Sequence, residues 1–244
     1  MTSEVIHYQH DGVSFKGYLA KPDSVKEKIP AILIAHAWRG QDDFARQQAD
    51  ELAKFGYVGF AIDLYGNDAL AQDDEEALQL MLPLFLNRKL LRERLQAGLK
   101  TLEKHSFIDQ NAIGAIGFCF GGLCVIELLR SGAAIKGGVS FHGLLGDTIG
   151  NHKAHLTPNE TIKGSLLILH GYKDPLVSQS DIIAIQDEMT KAGVDWQMNF
   201  YGQAMHAFTN PQADDKNSGL VYNHRSADRA WRAMNNFFNE IFSQ

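Results

Sequence analysis

Short apolar runs alternate with helical segments along nearly the whole chain, and that alternation restricts the possible folds more than any other feature. Residues 31–35 (AILIA) form a continuous apolar run, the pattern of a strand covered on both faces. Asp42 or Asp43 then caps a helix whose apolar face carries Phe44, Ala45, Ala49, Leu52 and Ala53, interrupted by Gln48 and closed by Gly56. Residues 57–64 read as the next strand. A long helical region, one helix or two, runs from the acidic turn at residues 73–76 to about His105, with Pro83 expected to break or kink it.

The alternation continues with a strand at 112–118, a helix at 121–130 and strands at 135–141 and 166–169. Ser178 or Ser180 starts a helix ending near Gly193, and residues 196–201 are expected to be the last strand. Ser226 is expected to cap a final helix with Ala227, Ala230, Trp231, Met234, Phe237, Phe238 and Ile241 at three-four spacing. At the other end, residues 5–8 and 13–20 flank Asp11-Gly12, a pair that readily takes the positive φ of a tight hairpin turn.

This order implies an α/β fold: a mostly parallel twisted sheet with helices on both faces and an N-terminal antiparallel hairpin. Prolines number only 6 and no linker interrupts the pattern, so residues 1–244 are expected to form a single domain. In such sheets ligands bind beyond the carboxyl ends of the strands, so the loops that follow strands are where function is sought.

Charge and composition exclude several functions. The chain carries 29 acidic and 23 basic side chains, a net charge of −6, and its pI is near 5.9. A nucleic-acid-binding domain usually shows a basic stripe, so nucleic acid is not an expected partner. No apolar window is long enough for a membrane span and no secretory leader is visible, so a soluble, cytoplasmic protein is expected. No G-x-G-x-x-G or Walker pattern appears, so neither a dinucleotide nor another cofactor is expected. The two cysteines, Cys119 and Cys124, make neither a disulfide framework nor a zinc-type pair.

Cys119 is the more informative of the two. Gly117-Phe118-Cys119-Phe120-Gly121-Gly122 lies where a strand gives way to a helix, a cysteine version of the nucleophile elbow. That turn strains the nucleophile's backbone, so its flanking positions must lack bulk, and a helix N-terminus favours a thiolate. Asp174 follows the strand at 166–169, and His206 follows the strand at 196–201. Nucleophile, acid and histidine in that chain order is the order of the α/β-hydrolases. Each residue singly has a plainer reading, as a buried cysteine, a turn-forming aspartate and a solvated histidine.

The residues His36-Ala37-Trp38-Arg39-Gly40, Asp63-Leu64-Tyr65-Gly66, the Cys119 elbow, His170-Gly171 with Asp174, and His206-Ala207-Phe208 together resemble the dienelactone hydrolase family over nearly the whole chain. The resemblance implies an α/β-hydrolase fold in which Cys119 is the nucleophile, His206 the general base and Asp174 its orienting partner. It also implies an oxyanion hole made by the backbone N–H groups of Phe120 and Trp38. The expected reaction is hydrolysis of a small carboxylic ester or lactone through an acyl-thiol intermediate, with no cofactor, by a monomer or small homo-oligomer.

Two positions depart from the family pattern. Ala37 stands where many members carry a glutamate beside the nucleophile, and Asn210 stands where dienelactone-cleaving members carry an arginine four residues after the histidine. Arg39 and Arg88 are the remaining candidates for contacting an anion. His36, Tyr65, His142, Tyr172 and Phe208 are further candidates for the pocket wall, with Trp38 and Met205. The strand-end histidines His36, His142 and His170 show no second shell of carboxylates, so no metal is expected. The competing reading from another class is a redox-sensing or ligand-binding thiol on a hydrolase scaffold, since no neighbouring acid restrains Cys119.

Overall fold

The computed structural model describes residues 1–24 and 27–243. Strands β1 (Thr2–His10) and β2 (Val13–Lys21) form the expected hairpin, with Thr2 opposite Lys21 and His10 opposite Val13. Its turn places Asp11 and Gly12 at φ 47° and 76°. The chain continues through β3 (Ile29–Ala35), α1 (Asp43–Lys54), β4 (Val58–Ala61), α2 (Asp74–Leu86), α3 (Arg88–Glu103), β5 (Ile108–Phe118), α4 (Phe120–Arg130) and β6 (Gly137–Phe141). A small hairpin of β7 (Thr148–Ile149) and β8 (His152–Lys153) precedes β9 (Ser165–Gly171), α5 (Gln179–Lys191) and β10 (Trp196–Tyr201). A second small hairpin, β11 (Asp214–Asp215) and β12 (Leu220–Val221), leads to α6 (His224–Phe242).

The eight long strands form one twisted sheet in the order β1-β2-β4-β3-β5-β6-β9-β10. All pairings from β4 to β10 are parallel, and β1 and β2 run antiparallel at one edge. Period-two alternation sends each strand's side chains to opposite layers. In β3, Leu33 joins the layer with α3, α4 and α5, while Ile32 and Ile34 join the layer with α1 and α6. Both faces are therefore buried, which is why β3, β5 and β9 read as unbroken apolar runs rather than alternating ones.

Three expectations are corrected. The helical region does not break at Pro83: α2 runs through it to Leu86, and the chain turns at Asn87, whose side chain caps α3 by accepting from the Leu90 N–H at 3.1 Å. Pro83 lies on the exposed side of α2, and burial of Leu84 and Phe85 beyond it offsets the missing backbone bond. The last helix is capped by Asn223, not Ser226, which is itself the donor to the Asn223 side chain at 3.0 Å. Residues 196–201 are not the last strand either, since β11 and β12 follow. Their two-residue lengths are below what sequence periodicity can reveal.

Candidate active site

The elbow after β5 is built by steric exclusion. Cys119 has φ 55° and ψ −117°, a backbone conformation that side-chain-bearing residues rarely adopt. A Cβ on Gly117 would overlap the carbonyl of Gly121, and one on Gly121 would overlap the carbonyl of Ala35. Only glycine at both places lets α4 approach β3 and β5 closely enough to turn the chain so sharply. The Cys119 N–H donates to Phe141 O at 3.1 Å, and its carbonyl accepts from Gly122 at 2.9 Å. The thiol stands half-buried at the N-terminus of α4.

His206 follows β10 and is held by short β12, where its N–H donates to Gly219 O at 2.9 Å and its carbonyl accepts from Val221 at 3.0 Å. Its ring Nδ1 lies 2.7 Å from Asp174 Oδ2, and both side chains are buried. The other carboxylate oxygen of Asp174 accepts from the Leu176 N–H at 2.9 Å, which fixes the group's orientation. Burial alone would lower the His206 pKa, but the electrostatic interaction with Cys119 and the bond to Asp174 outweigh it and push the value up to about 10. Nε2 makes no hydrogen bond of regular geometry, although Cys119 is near enough to shift the ring's titration.

The loop after β3 is tied down at each residue. His36 Nε2 accepts from the Leu64 N–H at 3.2 Å, so its proton is on Nδ1, which donates to Ala37 O at 2.6 Å. Tyr65 donates to Trp38 O at 2.7 Å, and Ala71 N–H donates to Arg39 O at 2.9 Å. Neither the Trp38 nor the Phe120 N–H is used in a loop or cap hydrogen bond among the described residues.

Two cavities meet at Cys119. One, of about 320 Å³, is walled by Arg39, Phe118, His142, His206, Asn210 and several aspartates. The other, of about 420 Å³, is largely apolar, with Leu78, Met81, Leu144, Ile149 and Leu176 in its wall. Trp38, Asp74, Cys119 and Leu220 border both.

The sequence candidates therefore separate. Arg39 and His142 reach the polar cavity, with Arg39 ion-paired to Asp74 and donating to Gln72 O at 3.2 Å. His36, Tyr65 and Phe208 are buried behind the walls, the first two bracing the β3 loop and the third packing against the His142 ring at 5.2 Å. Tyr172 is 70% exposed and borders neither cavity.

Arg88 lies elsewhere. At 1% exposure it lines a separate cavity of about 490 Å³ with Arg92, Glu127 and Arg130, because α3 turns that face toward α4 and α5 and away from the thiol. Sequence reasoning missed Asp42, Asp74, Asp214 and Asp215 on the polar wall. Asp42 caps α1 and Asp74 lies in the first turn of α2, places where an aspartate already serves the helix itself. Among the described residues His10, Asp11 and Glu93 bring potential metal ligands together, at the β1-β2 turn and on α3.

The buried histidines around the site give stability a pH dependence. Burial lowers the pKa of His36, His142 and His170, most strongly for His142, where the neighbouring His206 charge adds to it. Above the unfolded value near 6.5 these rings are neutral in both states. Below it the unfolded chain takes up protons that the folded chain refuses, so stability falls with pH, by up to about 1.4 kcal/mol per pH unit for each such ring. His206 acts oppositely: its contribution is complete below 6.5 and is lost as pH rises through about 10. Urea midpoints should therefore be highest near neutrality and drop between pH 7 and 5.5. His142→Gln should flatten the acid side, and an unchanged acid slope would refute the assignment.

Similarity to known proteins extends over the same residues. A family model described as the dienelactone hydrolase family matches residues 15–242. A solved structure titled m3DLH is 36% identical, covers 99% of this chain and 98% of its own, and superposes with a TM-score of 0.90. The structure of a dienelactone hydrolase-like promiscuous phosphotriesterase, P91, from metagenomic libraries is 31% identical over 98% of both chains, also at a TM-score of 0.90. A chain from Aquifex aeolicus (strain VF5) named "Putative carboxymethylenebutenolidase" is 29% identical over 96% of this chain and 97% of its own. The chain belongs to the dienelactone hydrolase family and is a hydrolase with an α/β-hydrolase fold.

Proposed function

We propose that the protein hydrolyses a small carboxylic ester or lactone with Cys119 as nucleophile, His206 as base and then acid, and Asp174 as the group that orients His206. The observation that carries this reading is the strained Cys119 elbow standing beside an imidazole whose far nitrogen is held 2.7 Å from a buried carboxylate. His206 takes the thiol proton as the sulfur of Cys119 bonds to the substrate carbonyl carbon, and the carbonyl π pair moves to oxygen. The free N–H groups of Phe120 and Trp38 are the donors for that oxyanion, and each such donor is worth about 3 kcal/mol.

Collapse re-forms the carbonyl, breaks the carbon–oxygen bond to the alcohol and hands the leaving oxygen the proton on His206. Water then adds to the acyl-thiol, gives a proton to His206, and the thiolate leaves. A thiolate is expelled more readily than an unprotonated amine, so esters, lactones and thioesters fit better than amides. The chemistry draws on no cofactor. The free thiol suits a reducing compartment such as the cytoplasm, and we take the functional unit to be one domain, alone or as a small homo-oligomer.

Acid-quenching the enzyme during turnover of p-nitrophenyl acetate and mapping the peptides by mass spectrometry tests this directly. An acetyl group on Cys119 is expected. The alternative, a redox or ligand-binding thiol, predicts rapid alkylation of Cys119 with no ester turnover. Burial raises the Cys124 thiol pKa well above its usual range, which removes Cys124 as a substitute nucleophile or resolving partner.

A further inference from the structure

The two cavities at Cys119 differ in a way that assigns the two halves of an ester, given the hydrolase reading above. His206 borders the polar cavity and not the apolar one. The leaving oxygen must take its proton from His206, so the alcohol half departs through the polar cavity. The acyl half, which stays on sulfur, takes the cavity walled by Leu78, Met81, Leu144, Ile149 and Leu176.

The polar cavity is also acidic. Its wall carries Asp42, Asp74, Asp214 and Asp215 against two basic side chains, Arg39 and His206, and the charge of His206 is already held against the buried Asp174 carboxylate. Arg39 is neutralised by Asp74, which leaves three carboxylates uncompensated on the wall. The Ser218 hydroxyl, together with the Ser218 and Asn217 N–H groups that donate to Asp215 at 3.1 and 3.0 Å, holds its carboxyl below the usual range and so ionised. Lys216, in the same turn, is not part of the wall. The buried His142, kept neutral by its surroundings, adds no positive charge there.

A cleft lined by one sign of charge raises the local concentration of opposite charge and repels its own. We propose that the substrates of this protein are esters with an apolar acyl group and a neutral or cationic alcohol half, and that carboxylate-bearing lactones and esters are rejected. Asn210, on the same wall, supplies no cation to offset this.

The test uses hexanoate esters of three alcohols: choline, its uncharged tert-butyl isostere and a hydroxy-carboxylate of similar length. At low ionic strength kcat/KM should fall in that order, with the anionic ester at least about tenfold below the choline ester. Asp214→Asn with Asp215→Asn should lower the choline-to-isostere ratio about fivefold, and added salt should do the same to the parent enzyme. Intrinsic leaving-group differences cancel in that comparison, because the variant and the parent act on the same pair of esters.

On the acyl side, Leu78→Phe should lower the hexanoyl-to-acetyl ratio, since the larger side chain fills the apolar cavity. An anionic ester hydrolysed as fast as the choline ester, or a charge ratio untouched by both variant and salt, overturns the inference. Absence of any Cys119-dependent ester turnover would instead sink the hydrolase reading, and this one with it.

Discussion

Cys119→Ala is expected to lower kcat/KM for p-nitrophenyl acetate by about 10⁴-fold or more, leaving the residual rate that oxyanion stabilisation and binding alone provide. No second nucleophile can take over, because Cys124 is fully buried inside α4 and its thiol is held protonated. The variant should fold, since the elbow is shaped by Gly117 and Gly121 and alanine at φ 55° bears the same kind of strain as cysteine does. Circular dichroism and the urea midpoint check that point independently of activity. A folded Cys119→Ala protein that keeps more than a tenth of the parent rate would refute the nucleophile assignment.

The elbow could be read from sequence because its constraint is local. Two glycines are needed where backbone carbonyls crowd a turn, and few other turns demand both at that spacing. Asp174 and His206 were visible for a related reason, as polar residues directly after apolar strands that must end at one rim of the sheet. Their 2.7 Å contact was not visible, since it depends on the loop after β10 being pinned by β12.

The pocket wall was much less legible. Tyr65 and His36 stand at the correct strand ends yet turn inward, because their polar atoms satisfy buried backbone groups of the β3 loop. Arg88 was misplaced by the length of a helical stretch whose break point determines which face meets the site. With the break at Asn87 instead of Pro83, Arg88 begins α3 and turns toward α4. The aspartates of the polar wall come from three separate segments, and only the closed fold brings them together.

Glu127 carries the largest expected effect on stability. It lies on α4 at 1% exposure, accepting from Arg92 Nε at 2.7 Å and Arg130 Nη1 at 2.8 Å, with Arg88 Nε at 4.0 Å. Arg130 is shared with Glu188 of α5, at 2.8 Å from Nε and 2.5 Å from Nη2. Arg92 spends its other donors on Pro158 O and the Asn159 side chain, both at 2.8 Å.

Arg88 is the poorest served, with one long bond to Gly146 O at 3.3 Å. Burial pushes its pKa down to about 10, against the opposing pull of Glu127. Removing the Glu127 charge leaves the buried guanidiniums of Arg88 and Arg92 without a carboxylate, and breaking one partner of a buried charge cluster typically costs about 3–5 kcal/mol. Glu127→Gln should therefore lower unfolding stability by roughly that amount in urea titration, while the folded fraction keeps its ester kinetics because this cavity does not include Cys119.

Adding Arg88→Met to Glu127→Gln should return part of the loss, since it deletes the guanidinium with the fewest other partners. The double-mutant cycle would then show coupling of about 1 kcal/mol or more. A loss below about 1 kcal/mol for Glu127→Gln alone would mean that solvent in the 490 Å³ cavity already screens the arginines and that the cluster contributes little to holding α3, α4 and α5 together.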